Sequence, residues 1–352
     1  MGMNPYSGLP KSAFWKTGVA QENPYAIKDI YEKKFDILPD TKIATAGSCF
    51  AQHISRHLKK NGYNVLDFEP APPGLQNDMH QKYGFSMYSA RYGNIYTVRQ
   101  LLQLTLEAAG TSTPTNYIWE KNGRFFDALR PNIEPDGLDC PEEVIEHRAF
   151  HITRVRELFK RLDLFIFTLG LTEMWIHKES GTVYPTAPGT LLGDFDESIY
   201  EFKNAQFQEI ISDFNLFQQV LLKIRGGNEF NCLLTVSPVP LTATASGRHI
   251  LTANTYSKSI LRSVAGQLSI NQPHIDYFPS YEIATNPRMH STSFADNLRS
   301  VRSETVETVM RHFFAEHQLI KANINNNESN QLTAKGSEYL QCEEELIEAF
   351  EE

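Results

Sequence analysis

Cysteine is scarce and scattered: four in 352 residues, Cys49, Cys140, Cys232 and Cys342, with no paired CxxC spacing. That excludes a disulfide framework, and the lack of an HExxH pattern leaves no metal-ligand motif. No GxGxxG follows the first apolar strand-like run and no GxxxxGK[ST] loop occurs, so no nucleotide cofactor is called for. No apolar run approaches the roughly 18 residues that cross a bilayer, so membrane insertion is not expected. The stretch from Met1 to Pro24 is polar and lacks the basic start and apolar centre of a secretory signal. A basic stripe with interleaved aromatics is absent too, which argues against a nucleic-acid partner. With Cys49 and Cys232 both in apolar segments, these absences predict a soluble protein of a reducing, cytoplasmic space.

What the chain does have is length and apolar content enough for a sizeable core, 41% hydrophobic against 21% charged. Its net charge is −9, and Ala322 to Glu352 alone holds eight acidic residues and one lysine, so the body is near neutral. No internal repeat is present.

Five short apolar runs read as strands: Lys42–Ala46, Tyr63–Phe68, Leu162–Leu169, Phe230–Val236 and Ile275–Phe278. Helical spacing of apolar residues marks Phe50–Lys60, Val98–Ala109, His147–Arg161, Gln206–Ile224, Asn254–Leu268 and Ser303–His317. Strands alternating with helices imply right-handed crossovers and a five-stranded parallel sheet, with a site beyond the carboxyl ends of the strands. Residues 1–39 form an N-terminal extension and 40–320 the main domain. Within it, the Pro- and aromatic-rich segments 69–90, 116–146 and 178–202 are long insertions, read as lids or binding walls. Asn323–Asn330 reads as a linker. Beyond it, Glu338–Phe350 carries Tyr339, Leu340, Leu346, Ile347 and Phe350 as the apolar side of a short helix that is loosely attached or docks on a partner.

The most telling stretch is Lys42 to Ala51, KIATAGSCFA, a buried strand that stops at Gly47-Ser48 and runs straight into a helix. Backbone N–H groups and the positive end of the helix dipole converge on the Ser48 hydroxyl there. That environment suits a nucleophile whose attack creates an oxyanion, and it equally suits a plain helix N-cap. Cys49 is a possible alternative nucleophile, though one residue into an apolar helix it is expected to face the core.

GSCFA at Gly47–Ala51 is joined, in order, by YGNIYT (Tyr92–Thr97), FTLGLTEMW (Phe167–Trp175), YPTAPG (Tyr184–Gly189), TVSPVPLTAT (Thr235–Thr244), NTYSKSILR (Asn254–Arg262) and YFPSYEI (Tyr277–Ile283). On these motifs the chain resembles the GSCFA family over roughly residues 40–315. That family in turn is similar to the SGNH, or GDSL-like, hydrolases. The resemblance implies a flavodoxin-like α/β three-layer sandwich in which serine, glycine, asparagine and histidine come from four blocks. Carried over, the serine falls on Ser48 and the oxyanion glycine on Gly93. Thr172 stands where the third block has asparagine, so its hydroxyl, the Asn94 amide and the Ser48 N–H are the candidate donors beside Gly93. In the last block, normally Asp-x-x-His, Asp296 is followed by Arg299, which cannot accept a proton.

The base must then come from elsewhere. His249 ranks first because its loop should overhang the carboxyl edge of the sheet, His290 second and His53 third. Glu173 is a candidate to bind a sugar hydroxyl or orient a histidine. Arg299 is a candidate clamp for an anion, or a partner of Asp296. Trp119, Trp175 and Tyr184 are candidate sugar-stacking rings. The resemblance implies an O-acyl ester substrate, a small molecule or carbohydrate, with water or a sugar hydroxyl as acceptor and, for transfer, a donor such as acyl-CoA. The competing expectation, motivated by Thr172 and Arg299, is a non-catalytic module that binds a glycan or a biosynthetic partner. The oligomeric state is not legible.

Overall fold

Largely apolar runs are strands buried on both faces of a sheet, and this chain sets four short runs of that kind side by side. The computed structural model describes residues 4–318, apart from the side chain of His290. In chain order its strands are β1 (Ile43–Gly47), β2 (Ile118–Lys121), β3 (Arg124–Asp127), β4 (Leu164–Leu169), β5 (Glu173–His177), β6 (Val183–Tyr184), β7 (Tyr200–Asn204), β8 (Asn231–Val236) and β9 (Ile275–Tyr277). Its α-helices are α1 (Cys49–Lys60), α2 (Asn77–Lys82), α3 (Val98–Ala109), α4 (Pro141–Arg161), α5 (Phe207–Ile224), α6 (Ile250–Asn271), α7 (Ser280–Ala284), α8 (His290–Ser293) and α9 (Ser303–Glu316).

The central sheet is parallel, in the order β1-β4-β8-β9. β4, sequence LFIFTL, is buried along its whole length. Its alternate residues serve different cores. Phe165, Phe167 and Leu169 meet Phe159, Phe214, Phe217, Leu261 and Val264 of α4, α5 and α6. Leu164 and Ile166 meet Phe50, Ile54 and Leu58 of α1 and Val309 and Phe313 of α9. Helices therefore cover both faces of the sheet. The helix boundaries follow local chemistry. Thr97 closes a capping box with Gln100 at the start of α3, which ends on Gly110 at φ 72°. Pro141 opens α4.

The sheet has four strands, not five. Of the expected strand Tyr63–Phe68, one residue, Val65, makes a parallel bridge, to Ile43. The Ile43 N–H bonds the Asn64 carbonyl and the Leu66 N–H bonds the Ile43 carbonyl, and there the pairing stops. The next polar groups are claimed from outside the sheet: the Phe68 N–H by the Ser89 carbonyl and the Glu69 carboxylate by the Arg91 N–H.

The long insertions are partly regular. Segment 69–90 contains α2, 116–146 contains the β2–β3 hairpin and the start of α4, and 178–202 supplies β6 and the start of β7, which flank β5 in an antiparallel sheet. Trp119 stacks on Tyr184 with ring centroids 4.9 Å apart, and Tyr200 closes on both rings. Trp119 and Tyr184 are thus the buried core of the insertions rather than open stacking platforms. The Asn323–Asn330 linker and the Glu338–Phe350 segment lie outside the described residues. Among the described residues no helix is long and apolar enough to cross a membrane.

Candidate active site

β1 ends at Gly47, whose φ of 141° suits glycine; a Cβ there would lie 2.6 Å from the Thr168 carbonyl oxygen. That close approach lets β1 run flush against β4 up to its last residue and sets Ser48 at the carboxyl edge. Ser48 is the N-cap of α1 by its backbone (φ −72°, ψ 176°), yet its side chain makes no cap hydrogen bond. The hydroxyl is buried and has no hydrogen-bond partner among the described residues. Ser48 as a whole is 3% exposed. Buried hydroxyls without partners cost stability and are rare. A serine that can cap and does not is the strongest local sign of a job other than capping.

Around it the chain packs three segments. Gly170, just past β4, faces Ser48 so closely that a Cβ on it would sit 2.9 Å from the Ser48 Cβ and 3.1 Å from the Tyr96 carbonyl oxygen. The Tyr96 carbonyl accepts the N–H groups of Gly170 and Leu171, and the Ile95 N–H bonds the Gly47 carbonyl. The 92–96 turn is therefore stitched to both strand ends. Gly93 sits in that turn at φ 67°. Asn94 is held from several sides: its Oδ1 accepts from the Tyr88 hydroxyl and from Gln52 Nε2 (3.2 Å), and its Nδ2 donates to the Tyr96 hydroxyl (3.2 Å). The Tyr88 hydroxyl is also 3.0 Å from the Ser48 carbonyl oxygen. The structure thus gathers Ser48, Gly93, Asn94 and Gly170 at one strand edge.

Other expected donors are committed elsewhere. The Ser48 N–H points back along the sheet to the Thr168 carbonyl, 3.3 Å away, rather than to the front of the hydroxyl. Thr172 is fully buried; both its N–H (3.2 Å) and its hydroxyl (3.0 Å) donate to the Ser257 hydroxyl of α6. It ties the turn to the helix.

The histidines divide sharply. His249 is exposed and is the N-cap of α6, its Nδ1 accepting from the Leu251 N–H at 3.2 Å. His53 is buried beside Phe50, with neither ring nitrogen bonded among the described residues; burial, then Arg56 and His57, push it down to about 3, so it is a neutral ring. His290 begins α8, and its side chain lies outside the described residues. No ring nitrogen of the described residues reaches the Ser48 hydroxyl. Arg299 is buried in the turn before α9. The expected pair with Asp296 does not form: Asp296 is fully exposed and bridges Arg302 at 3.2 Å.

One functional-looking residue escaped the sequence reading. Lys258 of α6 is fully buried, and its Nζ donates to the Gly170 carbonyl at 2.9 Å. It lies on the apolar stripe that continues through Leu261, Ala265 and Leu268, and a lysine at a core position of a 3.6-residue period was the available signal.

Beside the site lies a cleft of about 210 Å³ lined by Leu171, Glu173, Trp175, Thr186, Phe202 and Thr244 among others. Glu173 accepts from the Thr244 hydroxyl at 2.8 Å, and burial raises its carboxyl above the usual range. The buried Thr186 hydroxyl has no partner among the described residues. Trp175 meets Phe195 and Phe202 edge to face.

No curated protein matches the chain. The model of the GSCFA family matches residues 42–313, from the residue before β1 into α9. Spanning all four parallel strands and every segment around Ser48, that match shows that the chain belongs to the GSCFA family.

Proposed function

We propose that the chain is a serine-dependent acyl-ester hydrolase or O-acyltransferase acting on a carbohydrate or polysaccharide O-acyl group, on a frame of the flavodoxin-like, three-layer SGNH type. The observation that carries the reading is the Ser48 hydroxyl: at the edge of a parallel sheet, heading a helix, and bonded to nothing described. The strand order, with Val65 beside β1 at the outer edge, agrees with the flavodoxin-like arrangement.

In this reading Ser48 gives up its proton and its oxygen bonds the ester carbonyl carbon. The carbonyl oxygen takes the negative charge in front of the Gly93 turn, while Asn94 and Tyr88 hold that turn in place. The sugar alkoxide leaves with a proton. Water, or a second sugar hydroxyl, then attacks the acyl-serine and returns the proton to the serine oxygen as it leaves, which gives hydrolysis or transfer; where the donor is acyl-CoA, the first step breaks its thioester and the CoA thiol leaves with the proton in place of the sugar. His249 fits the base role only if α6 gives up its cap, because Nδ1 is in use there. The Glu173 cleft, with one carboxyl, hydroxyls and the Trp175 edge, suits a sugar ring. Cys140 and Cys232, neither of them in a disulfide, suit a reducing, cytoplasmic setting.

Esterase assay on p-nitrophenyl acetate and on acetylated oligosaccharides, wild type against Ser48→Ala and Glu173→Gln, tests it. Loss of turnover in Ser48→Ala, with a raised KM in Glu173→Gln on sugar esters alone, is expected. Equal activity in wild type and Ser48→Ala ends the mechanism.

A second reading is a glycan- or partner-binding module that keeps the cleft without chemistry. The closed hydroxyl, 3% exposed, and Arg299 in place of a histidine favour it. Glycan binding unchanged by Ser48→Ala, with no turnover on any ester, would establish it.

A further inference from the structure

A second cleft, of about 780 Å³, lies between segment 64–72 and α4. Within α4, His151, Val155, Leu158 and Phe159 are buried. Phe150, Arg154 and Arg161, at i, i+4 and i+11, share a different face of the helix and line the cleft. Across from them stand Leu66, Phe68, Pro70 and Pro72. Phe150 is 52% exposed, a flat apolar surface that the core does not use. Arg154 lies 4.7 Å over the Phe150 ring, and Arg161 5.5 Å over Phe68. Stacking of this kind holds a guanidinium flat against a ring and leaves its N–H edge available.

The charges of the walls do not cancel. Four bases, Lys42, Arg91, Arg154 and Arg161, meet two acids, Asp67 and Glu69, on a chain whose net charge is −9. Both acids are engaged: Glu69 by His151 at 2.7 Å and by the Arg91 N–H, Asp67 by Lys59 at 4.0 Å and by the Glu69 N–H. Arg91 is engaged as well, with Glu134 at 2.8 Å. The other three bases are not. Among the described residues no carboxylate lies within 4 Å of the side-chain nitrogens of Lys42 or Arg154, and Arg161 reaches only Glu157, at 4.0 Å. The cleft also has two unlike ends. Lys42 and Arg161 share one, where the Lys42 carbonyl accepts the Asp163 N–H at 2.8 Å just past α4. Phe150 lies eleven residues before Arg161, about 16 Å back along the helix.

A ligand that matches both ends is elongated, with a flat ring at one end and strong negative charge at the other. We propose that the cleft binds a nucleotide, its base against Phe150 and its phosphates on Lys42, Arg154 and Arg161. Guanidinium groups take phosphate oxygens in pairs, and the face of any base stacks on a phenyl ring. The cleft has the size of a small-molecule site, and arginines already laid on rings lose little further freedom on binding. No glycine-rich loop is needed, because side chains rather than backbone N–H groups meet the phosphates. The cleft shares no lining residue with the socket of Ser48, and the inference is independent of any reaction there.

The test is calorimetric titration of the full chain with ADP, GDP and UDP, and with adenosine and inorganic pyrophosphate as the separate halves. At least one nucleoside diphosphate should bind one to one, about tenfold or more tighter than either half, and more weakly as salt rises. Arg154→Glu with Arg161→Glu should weaken it about tenfold or more. Phe150→Ser should weaken the nucleotide and leave pyrophosphate unchanged. Photolabelling of the wild-type chain with 8-azido-ADP should mark peptides 64–72 or 148–161, which decides the location even if a variant folds poorly. Several results would overturn the inference: no binding of any nucleotide, pyrophosphate bound as tightly as the nucleotides (an adventitious ion only), affinity indifferent to the variants, or labels elsewhere. Tighter binding of an acidic glycan such as polygalacturonate, lost in the same arginine variant, would also overturn it, since the cleft would then be a polysaccharide groove.

Discussion

Gly170 and Ser48 fill one another's space: a methyl group on Gly170 would stand 2.9 Å from the Ser48 Cβ. Lys258 grips the carbonyl of that same glycine, and the Tyr96 carbonyl holds its N–H. The serine therefore sits in a socket whose opposite wall is bare backbone. Gly170→Ala should cost about 1–3 kcal/mol by overpacking. Replacing Ser48 by glycine in the same chain should return about 1 kcal/mol of it, a coupling that a double-mutant cycle in denaturant reads directly. Strict additivity of the two changes would mean that they do not share this contact.

Ser48→Ala should leave stability within about 1 kcal/mol of wild type, or raise it. The substitution removes a buried hydroxyl that bonds nothing described, so desolvation is relieved and no bond is lost. Ester turnover should fall by about 10³-fold or more. Thermal unfolding beside the kinetics separates the two effects. A clear loss of stability with unchanged turnover would return Ser48 to the role of a helix cap.

Thr172 and Ser257 should behave as one structural unit. Thr172→Val and Ser257→Ala each break the 3.0 Å hydroxyl pair, and each should cost about 1 kcal/mol with similar, modest effects on rate. A loss of 10²–10³ in kcat in Thr172→Val alone would place its hydroxyl on the oxyanion.

Acid should weaken the fold through its buried, neutral histidines. Burial pushes His53 down to about 3 and His151 and His317 to about 4, while an unfolded histidine takes a proton near 6.5. Between those values the unfolded chain binds more protons, so stability is full above pH 6.5 and declines as pH falls toward 4. Glu69 adds to this only at lower pH: burial would raise it, but His151, Arg130 and the Arg91 N–H outweigh burial and hold it to about 2. A melting temperature lower by roughly 5–10 °C at pH 4 than at pH 6.5 is expected, with a shallower slope in His53→Gln. A flat profile over that range would show that these rings are not buried neutral.

The parallel core was legible because its strands are short, mostly apolar runs and its helices keep a 3.6-residue period. Val98–Ala109 was bounded to the residue by Thr97 and Gly110. Residues 63–68 misled because β-like composition cannot reveal that Ser89 and Arg91 claim the backbone and side-chain groups just past Leu66. In the site, Ser48 was legible as a strand-to-helix turn, and Gly93 and Asn94 as the turn that flanks it. The cap role of His249 was not legible for a local reason: a histidine before a helix can serve as its N-cap, and chain order does not show which way the ring turns. Lys258 was lost inside an apolar stripe, and Trp119 and Tyr184 seemed available only because their mutual stacking joins two insertions far apart in sequence.

The central claim is tested most directly by intact-mass and peptide mass spectrometry of the chain after exposure to a small fluorophosphonate and, separately, to acetylated substrate. The account predicts one adduct per chain, on the peptide containing Ser48 and absent in Ser48→Ala. No adduct, or an adduct on Cys49 that persists in Ser48→Ala, would contradict it.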